Sequence, residues 1–76
     1  MDAFQCRLAR SALGLGIRDL ATLASVSTNT IYRLESGELL KSQTIAAIRS
    51  VLEDAGVIFI DENGEGPGVR LRKSLP

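Results

Sequence analysis

The sequence predicts a mainly α domain of four short helices followed by a C-terminal β-hairpin. Apolar residues recur at helical spacing in four segments before residue 56, and a glycine or a serine follows each segment. After Gly56 the pattern changes to two short apolar runs around a turn-rich stretch. A chain of 76 residues buries about 60% of its unfolded surface. We therefore expect one small core.

The first two helices are predicted over residues 4–13 and 17–24. Each places apolar side chains on one stripe, which favours burial of that stripe against other helices. Gly14 ends the first helix, because glycine adopts the left-handed conformation of a helix C-terminus at little steric cost. Ser27 is a good N-cap for the helix that follows, since its hydroxyl accepts a hydrogen bond from a free backbone N–H.

The third helix is predicted over residues 28–36, with Gly37 as its end, and the fourth over residues 42–55. Ile31 and Leu34 of the third helix point to one side. The other side carries hydrogen-bonding groups, from Thr28, Asn29, Tyr32, Arg33 and Ser36. The third helix thus has one core-facing side and one polar side that can contact a partner.

The last part of the chain predicts a β-hairpin, with strands at residues 57–60 and 69–72 around a turn at 61–68. An isolated hairpin is marginal in water, and its first strand is apolar on both faces, so it needs cover from the helices or from a second subunit. We divide the chain into a helical part, residues 1–56, and the hairpin, residues 57–76, as a dimerisation element of the same compact domain. The predicted interface residues are Val57, Ile58, Phe59 and Ile60.

Composition excludes several classes of function. With one cysteine and no histidine, the chain forms no internal disulfide and has no usual zinc site, so we predict neither a metal nor a cofactor. The chain has no histidine that could act as a general acid or base, and no pair of carboxylates has a spacing that suggests this chemistry. Both observations argue against an enzyme. Neither a basic leader nor a long apolar run is seen, so a cytoplasmic protein without membrane contact is expected.

The nine basic and nine acidic residues balance, but they are unevenly distributed. Residues 4–33 contain four arginines and one acid, whereas residues 53–65 contain five acids and no base. The first half is therefore the part suited to DNA. Two short helices joined by a tight turn, the second with a polar outward face, meet the physical requirements of a unit that reads the major groove.

Several positions in and after these helices share the spacing of a known family. They are Leu20-Ala21, Val26-Ser27, Thr30-Ile31, Leu34-Glu35, Gly37, Thr44-Ile45 and Ile48 to Leu52. These residues resemble the helix-turn-helix family of the lambdoid phage repressors and Cro, also called the xenobiotic-response-element family. The resemblance spans residues 4–52. It implies a four-helix, lambda-repressor-like domain that regulates transcription, with repression expected. Because one reading helix offers little contact area, we also expect a homodimer that binds an inverted-repeat operator.

The resemblance also implies roles for individual residues. Base contacts are implied for Thr28, Asn29, Tyr32 and Arg33. Phosphate contacts are implied for Ser27, Ser36, Lys41, Ser42 and, as a further role, Arg10. Among the residues with implied base contacts, Arg33 is the strongest candidate, because its guanidinium can donate to both O6 and N7 of guanine. An ion pair between Arg10 and Glu35 is implied as a structural tie from the first helix to the third.

Two positions depart from the family pattern. Ile17 stands where glutamine is usual, so it either joins the core or touches a thymine methyl, and the burial preference of isoleucine favours the core. Ser25 stands where glycine is usual in the turn, and it is expected to adopt a left-handed backbone conformation at a cost of about 1 kcal/mol.

A second function is also open, namely a protein-binding module such as an antitoxin or anti-activator, whose partner docks on the acidic, apolar C-terminal part.

Overall fold

Four helices and one antiparallel hairpin make up the computed structural model, which describes residues 1–73. The helices, α1 to α4, and the strands, β1 and β2, follow one another along the chain. They are α1 Ala3–Ala12, α2 Ile17–Ala24, α3 Thr28–Glu35, α4 Ser42–Asp54, β1 Val57–Ile60 and β2 Gly68–Leu71. The predicted mainly α class and the order of the elements are confirmed. The last three residues of the predicted hairpin part, 74–76, lie outside the described residues.

Local capping interactions explain where the helices begin. At α1, the Asp2 carboxylate accepts a hydrogen bond from the Gln5 backbone N–H at 2.8 Å, and the Gln5 side chain accepts one from the Asp2 N–H at 3.0 Å. This reciprocal pair is a capping box. At α3, Ser27 is the N-cap, as predicted, and its hydroxyl accepts from the Thr30 N–H at 3.1 Å. Asp19 of α2 accepts from the Gly16 N–H at 2.8 Å.

The turn between α2 and α3 contains the expected left-handed serine. Ser25 has φ 57° and ψ 41°, and no other non-glycine residue among residues 1–73 has a positive φ. The Val26 N–H donates to the Ala21 carbonyl at 3.0 Å, which closes the end of α2. The strained residue therefore sits in a hydrogen-bonded turn, which sets the angle at which α3 leaves α2.

The core takes side chains from every helix and from the hairpin. The largest fully buried side chains are Cys6, Leu20, Ile31, Ile48, Leu52 and Val57. Helix α3 packs against α1 and α2, α4 also packs against α1 and α2, and the hairpin packs against α1 and α4. Among residues 1–73, no helix combines the length and the apolar character that crossing a membrane requires.

The second strand begins one residue earlier than the predicted 69–72. Its register pairs Ile60 with Gly68 and Val57 with Leu71, and the Arg72 N–H then donates to the Gly56 carbonyl at 2.6 Å. Gly68 has no side chain and so contributes no strand signal to the sequence, which explains the shift. The hairpin is held onto the helices by Gln5, whose amide donates to the carbonyls of Ile60 at 2.9 Å and Gly68 at 3.1 Å.

Candidate nucleic-acid interface

Helix α3 has one buried side and one exposed side. Ile31, Leu34 and Glu35 are buried against the other helices. The exposed residues are Thr28, Asn29, Tyr32, Arg33 and Ser36, the last being the C-cap. All four residues predicted to contact bases therefore lie on the accessible side of a single helix, which projects hydroxyl, amide, phenol and guanidinium groups outward.

A buried ion pair ties α3 to α1. The Arg10 Nη2 and Nε groups donate to the two carboxylate oxygens of Glu35, each at 2.9 Å, in the two-point geometry that binds carboxylates most strongly. Glu35 is 7% exposed. The hydrogen bond to Glu35 raises the pKa of Arg10 above its ordinary value. This is the pair that the resemblance implies, and it leaves Arg10 engaged inside the domain.

Two further residues of α1 complete this contact with the end of α3. The Arg7 guanidinium donates to the backbone carbonyl of Glu35, where a cation also suits the negative end of the helix dipole. The Cys6 thiol lies 3.4 Å from the Glu35 carboxylate and is fully buried. Burial, with the Glu35 charge beside it, raises the pKa of Cys6 to about 12, so the thiol stays protonated and unreactive at neutral pH.

Shallow concavities flank the exposed side of α3. The one beside α2 is lined by Arg10, Gly16, Ile17, Arg18, Thr28 and Tyr32. Ile17 is half-buried and packs against the core, as the burial preference of isoleucine favoured. Arg18 is exposed there, and the sequence-based site omitted it. The concentration of arginines in residues 4–33 was the signal that could have included it.

The concavity on the other flank is formed with the segment between α3 and α4. It is lined by Val26, Ser27, Thr30, Arg33, Leu39, Leu40, Lys41 and Thr44. Lys41 is the N-cap of α4 and is exposed, as is Ser42, the first residue of that helix. Three residues predicted to contact phosphates, Ser27, Lys41 and Ser42, therefore lie at or beside this flank, which also includes Arg33, a residue predicted to contact a base.

Besides Arg10 and Glu35, three predicted site residues make side-chain hydrogen bonds within the chain. The Ser27 hydroxyl, besides capping α3, lies 2.8 Å from the Thr30 hydroxyl. The Ser36 hydroxyl donates to the Arg33 carbonyl at 2.9 Å. The Arg33 Nε donates to the Glu38 carboxylate at 3.0 Å. The Ser27 and Ser36 hydroxyls can still accept a hydrogen bond from a partner, and the Arg33 guanidinium has further N–H groups to donate.

The hairpin presents one of its four predicted interface residues clearly to solvent. Side chains alternate across a strand, so Val57 and Phe59 face the helices, whereas Ile58 faces outward and is 40% exposed. Val57 is 1% exposed, which corrects the prediction that it contacts a second subunit. Phe59 is half-buried beneath the Arg49 guanidinium, 4.9 Å from its ring centroid, and Ile60 is also half-buried.

Comparison with known proteins does not assign the site. Neither a protein-family model nor a curated protein matches the sequence. The features that bear on function are the exposed side chains of α3, the two flanks of this helix and the contacts that fix it in place.

Proposed function

We propose that this chain is a sequence-specific DNA-binding transcriptional regulator with a lambda-repressor-like helix-turn-helix domain. The observation that carries the proposal is the two-sided character of α3. Its inner side is fixed by core packing and by the Arg10–Glu35 ion pair, while its outer side offers polar groups that serve no core contact. A major groove about 12 Å wide admits such a helix, and its side chains can then reach base edges.

The flanks of α3 supply the groups for phosphate contacts. Arg18, in the first turn of α2, and Lys41, before α4, are exposed cations on opposite flanks of α3. Phosphate contacts of this kind set the orientation of a reading helix, while the contacts to bases set the sequence. The zero net charge of the chain is compatible with this arrangement, because the acids of residues 53–65 belong to the end of α4 and the hairpin.

Replacing Arg33 with alanine is expected to weaken binding to the preferred duplex by about 5- to 150-fold and to remove the preference at one base pair. This range corresponds to about 1–3 kcal/mol for a two-point contact between arginine and guanine. The preferred duplex is first obtained by selection from a random DNA pool, and affinities are then measured by fluorescence anisotropy. Arg49→Ala is the matched control, since Arg49 stacks on Phe59 and lines neither flank.

A contrasting variant separates phosphate contact from base contact. Lys41→Ala is expected to weaken binding to selected and scrambled duplexes alike, and to reduce the slope of log affinity against log salt by about 0.9. If Arg33→Ala binds both duplexes as the unchanged protein does, the outer side of α3 is not the reading surface.

The proposed regulator binds an inverted repeat as a homodimer and represses, since a dimer on its operator excludes other proteins from the DNA it covers. Ile58 and Leu71 expose apolar surface on the hairpin, and the two-stranded sheet leaves one edge of each strand unpaired within the described residues. Exposed strand edges are surfaces at which a second copy can pair. Two reading helices then meet half-sites about 34 Å apart.

Ile58→Lys is expected to convert the dimer to a monomer, because a charge on the outward face of β1 opposes pairing with a second copy. The mass is measured by light scattering at several concentrations. Leu23→Lys, at another exposed apolar position but on α2, is the control and should remain dimeric. Equal masses for Ile58→Lys and the unchanged protein would remove the hairpin from the interface. A point substitution is preferable to truncation here, since Val57 belongs to the core.

A second candidate function, a protein-binding module such as an antitoxin or anti-activator, is favoured by a different surface. Leu39 is 94% exposed, and it lines one concavity together with the exposed Phe4 and the half-buried Ile45. Apolar surface of this kind marks protein contacts more often than DNA contacts. Binding of purified protein to a selected duplex at moderate salt supports the regulator, whereas copurification of a stoichiometric protein without DNA binding supports the module.

A further inference from the structure

Glu38 lies against the side chain that we propose to read a base. The Arg33 Nε donates to its carboxylate at 3.0 Å, and both side chains are about half exposed. Within residues 1–73, the Nη groups of Arg33 make no hydrogen bond to the protein. The end of the guanidinium that can donate to O6 and N7 of guanine is therefore accessible, while its Nε is held from the side.

The backbone fixes the position from which Glu38 makes this contact. The Gly37 N–H donates to the Leu34 carbonyl at 3.1 Å, and the Glu38 N–H donates to the Arg33 carbonyl at 3.0 Å. These two bonds form a Schellman motif, with Gly37 at φ +89° in the position that favours glycine. Glu38 is thus anchored by its main chain to the same residue that its carboxylate contacts, and the pair spans the last turn of α3.

We propose that Glu38 is a positioning residue for Arg33, which limits the rotamers of the guanidinium so that its Nη groups face the proposed base pair. The inference rests on the proposed function and adds the residue that sets its selectivity. A free arginine side chain loses rotamer freedom when it binds, and an arginine held beforehand loses less. The acidic group also repels the phosphates of any DNA. Glu38 therefore lowers affinity for all sequences while raising the preference for the correct one.

The experiment compares the DNA affinities of Glu38→Gln and Glu38→Ala on two duplexes. One is the selected duplex, and the other differs from it at the base pair where Arg33→Ala removes the preference. Glutamine keeps an acceptor for the Arg33 Nε without the charge, whereas alanine removes both. Both variants should bind scrambled DNA more tightly than the unchanged protein. Glu38→Gln should keep the ratio of the two affinities, and Glu38→Ala should lower it about threefold, as expected for an exposed ion pair.

Several controls make the outcomes distinct. Glu53→Gln and Glu53→Ala change the carboxylate of a similar exposed pair, in which the Arg49 Nε lies 3.2 Å from Glu53, and should leave the ratio unchanged. Thermal unfolding followed by circular dichroism verifies that each variant is folded. In an Arg33→Ala background, Glu38→Ala should no longer alter the ratio.

Two results would overturn the role of Glu38 alone. One is an unchanged ratio in Glu38→Ala while Arg33→Ala abolishes the preference, which makes Glu38 a bystander. The other is a higher ratio in Glu38→Ala, which makes it a competitor that withholds Arg33 from DNA. Absence of DNA binding by the unchanged protein contradicts the proposed function itself. A preference that survives Arg33→Ala contradicts the base-reading role of Arg33, and either result removes the inference as well.

Discussion

Replacing Arg10 with alanine is expected to lower the free energy of unfolding by about 3–5 kcal/mol, because it leaves the Glu35 carboxylate buried without its cation. The stability of a domain of this size is itself only about 5 kcal/mol, so the variant should be largely unfolded at 37 °C. Urea unfolding followed by circular dichroism, at neutral pH and 15 °C, measures the change.

A double variant tests whether the loss comes from the stranded charge. Arg10→Met combined with Glu35→Leu replaces the whole pair by apolar side chains, and such replacements are often neutral or stabilising. We expect the double variant to recover most of the stability that Arg10→Ala loses. A double variant as unstable as Arg10→Ala would show that packing of the arginine stem, and not the unpaired carboxylate, dominates the effect.

Gln5→Ala is expected to lower the free energy of unfolding by about 2–4 kcal/mol and to loosen the hairpin. The substitution removes the two hydrogen bonds to the carbonyls of Ile60 and Gly68, and it also removes half of the α1 capping box. Urea unfolding gives the total loss, and amide hydrogen exchange shows where protection falls, with β2 expected to change most.

Two comparisons locate the origin of the Gln5 effect. Gln5→Glu keeps the acceptor that caps α1 but cannot donate to the carbonyls, so it should lose hairpin protection while preserving the start of α1. Gln43→Ala changes an exposed glutamine of α4 and should alter stability by less than about 0.5 kcal/mol. Unchanged exchange in β2 of Gln5→Ala would mean that the core contacts of Val57 and Val69 hold the hairpin on their own.

The helices were predictable because their signals are local. Periodic apolar residues, a serine N-cap and terminal glycines act within a few residues of one another, and the boundaries of α1 to α4 agree with the prediction to within one residue. The left-handed Ser25 was predictable from the resemblance, because glycine is usual at this position of the turn. The exposed side of α3 followed from helical periodicity alone.

Contacts between distant parts of the chain were not predictable in the same way. The Asp2-Gln5 spacing indicates a local capping role for Gln5. Its hydrogen bonds to Ile60 and Gly68, which lie far along the chain, depend on how the hairpin returns to α1. Burial of Val57 has the same origin, because alternation gives the two faces of a strand without saying which one meets the helices. The Arg33–Glu38 contact requires the turn at Gly37.

The division of α3 into a supporting side and an accessible side has a consequence for evolution. Thr28, Asn29 and Tyr32 are exposed, and substitutions at such positions usually change stability by no more than about 0.5 kcal/mol. The residues that hold α3 in the fold and the residues that we propose to contact DNA are therefore different side chains of one eight-residue helix. The exposed side chains can therefore change one at a time during evolution, without first needing compensating mutations to restore stability, and with them the proposed DNA contacts.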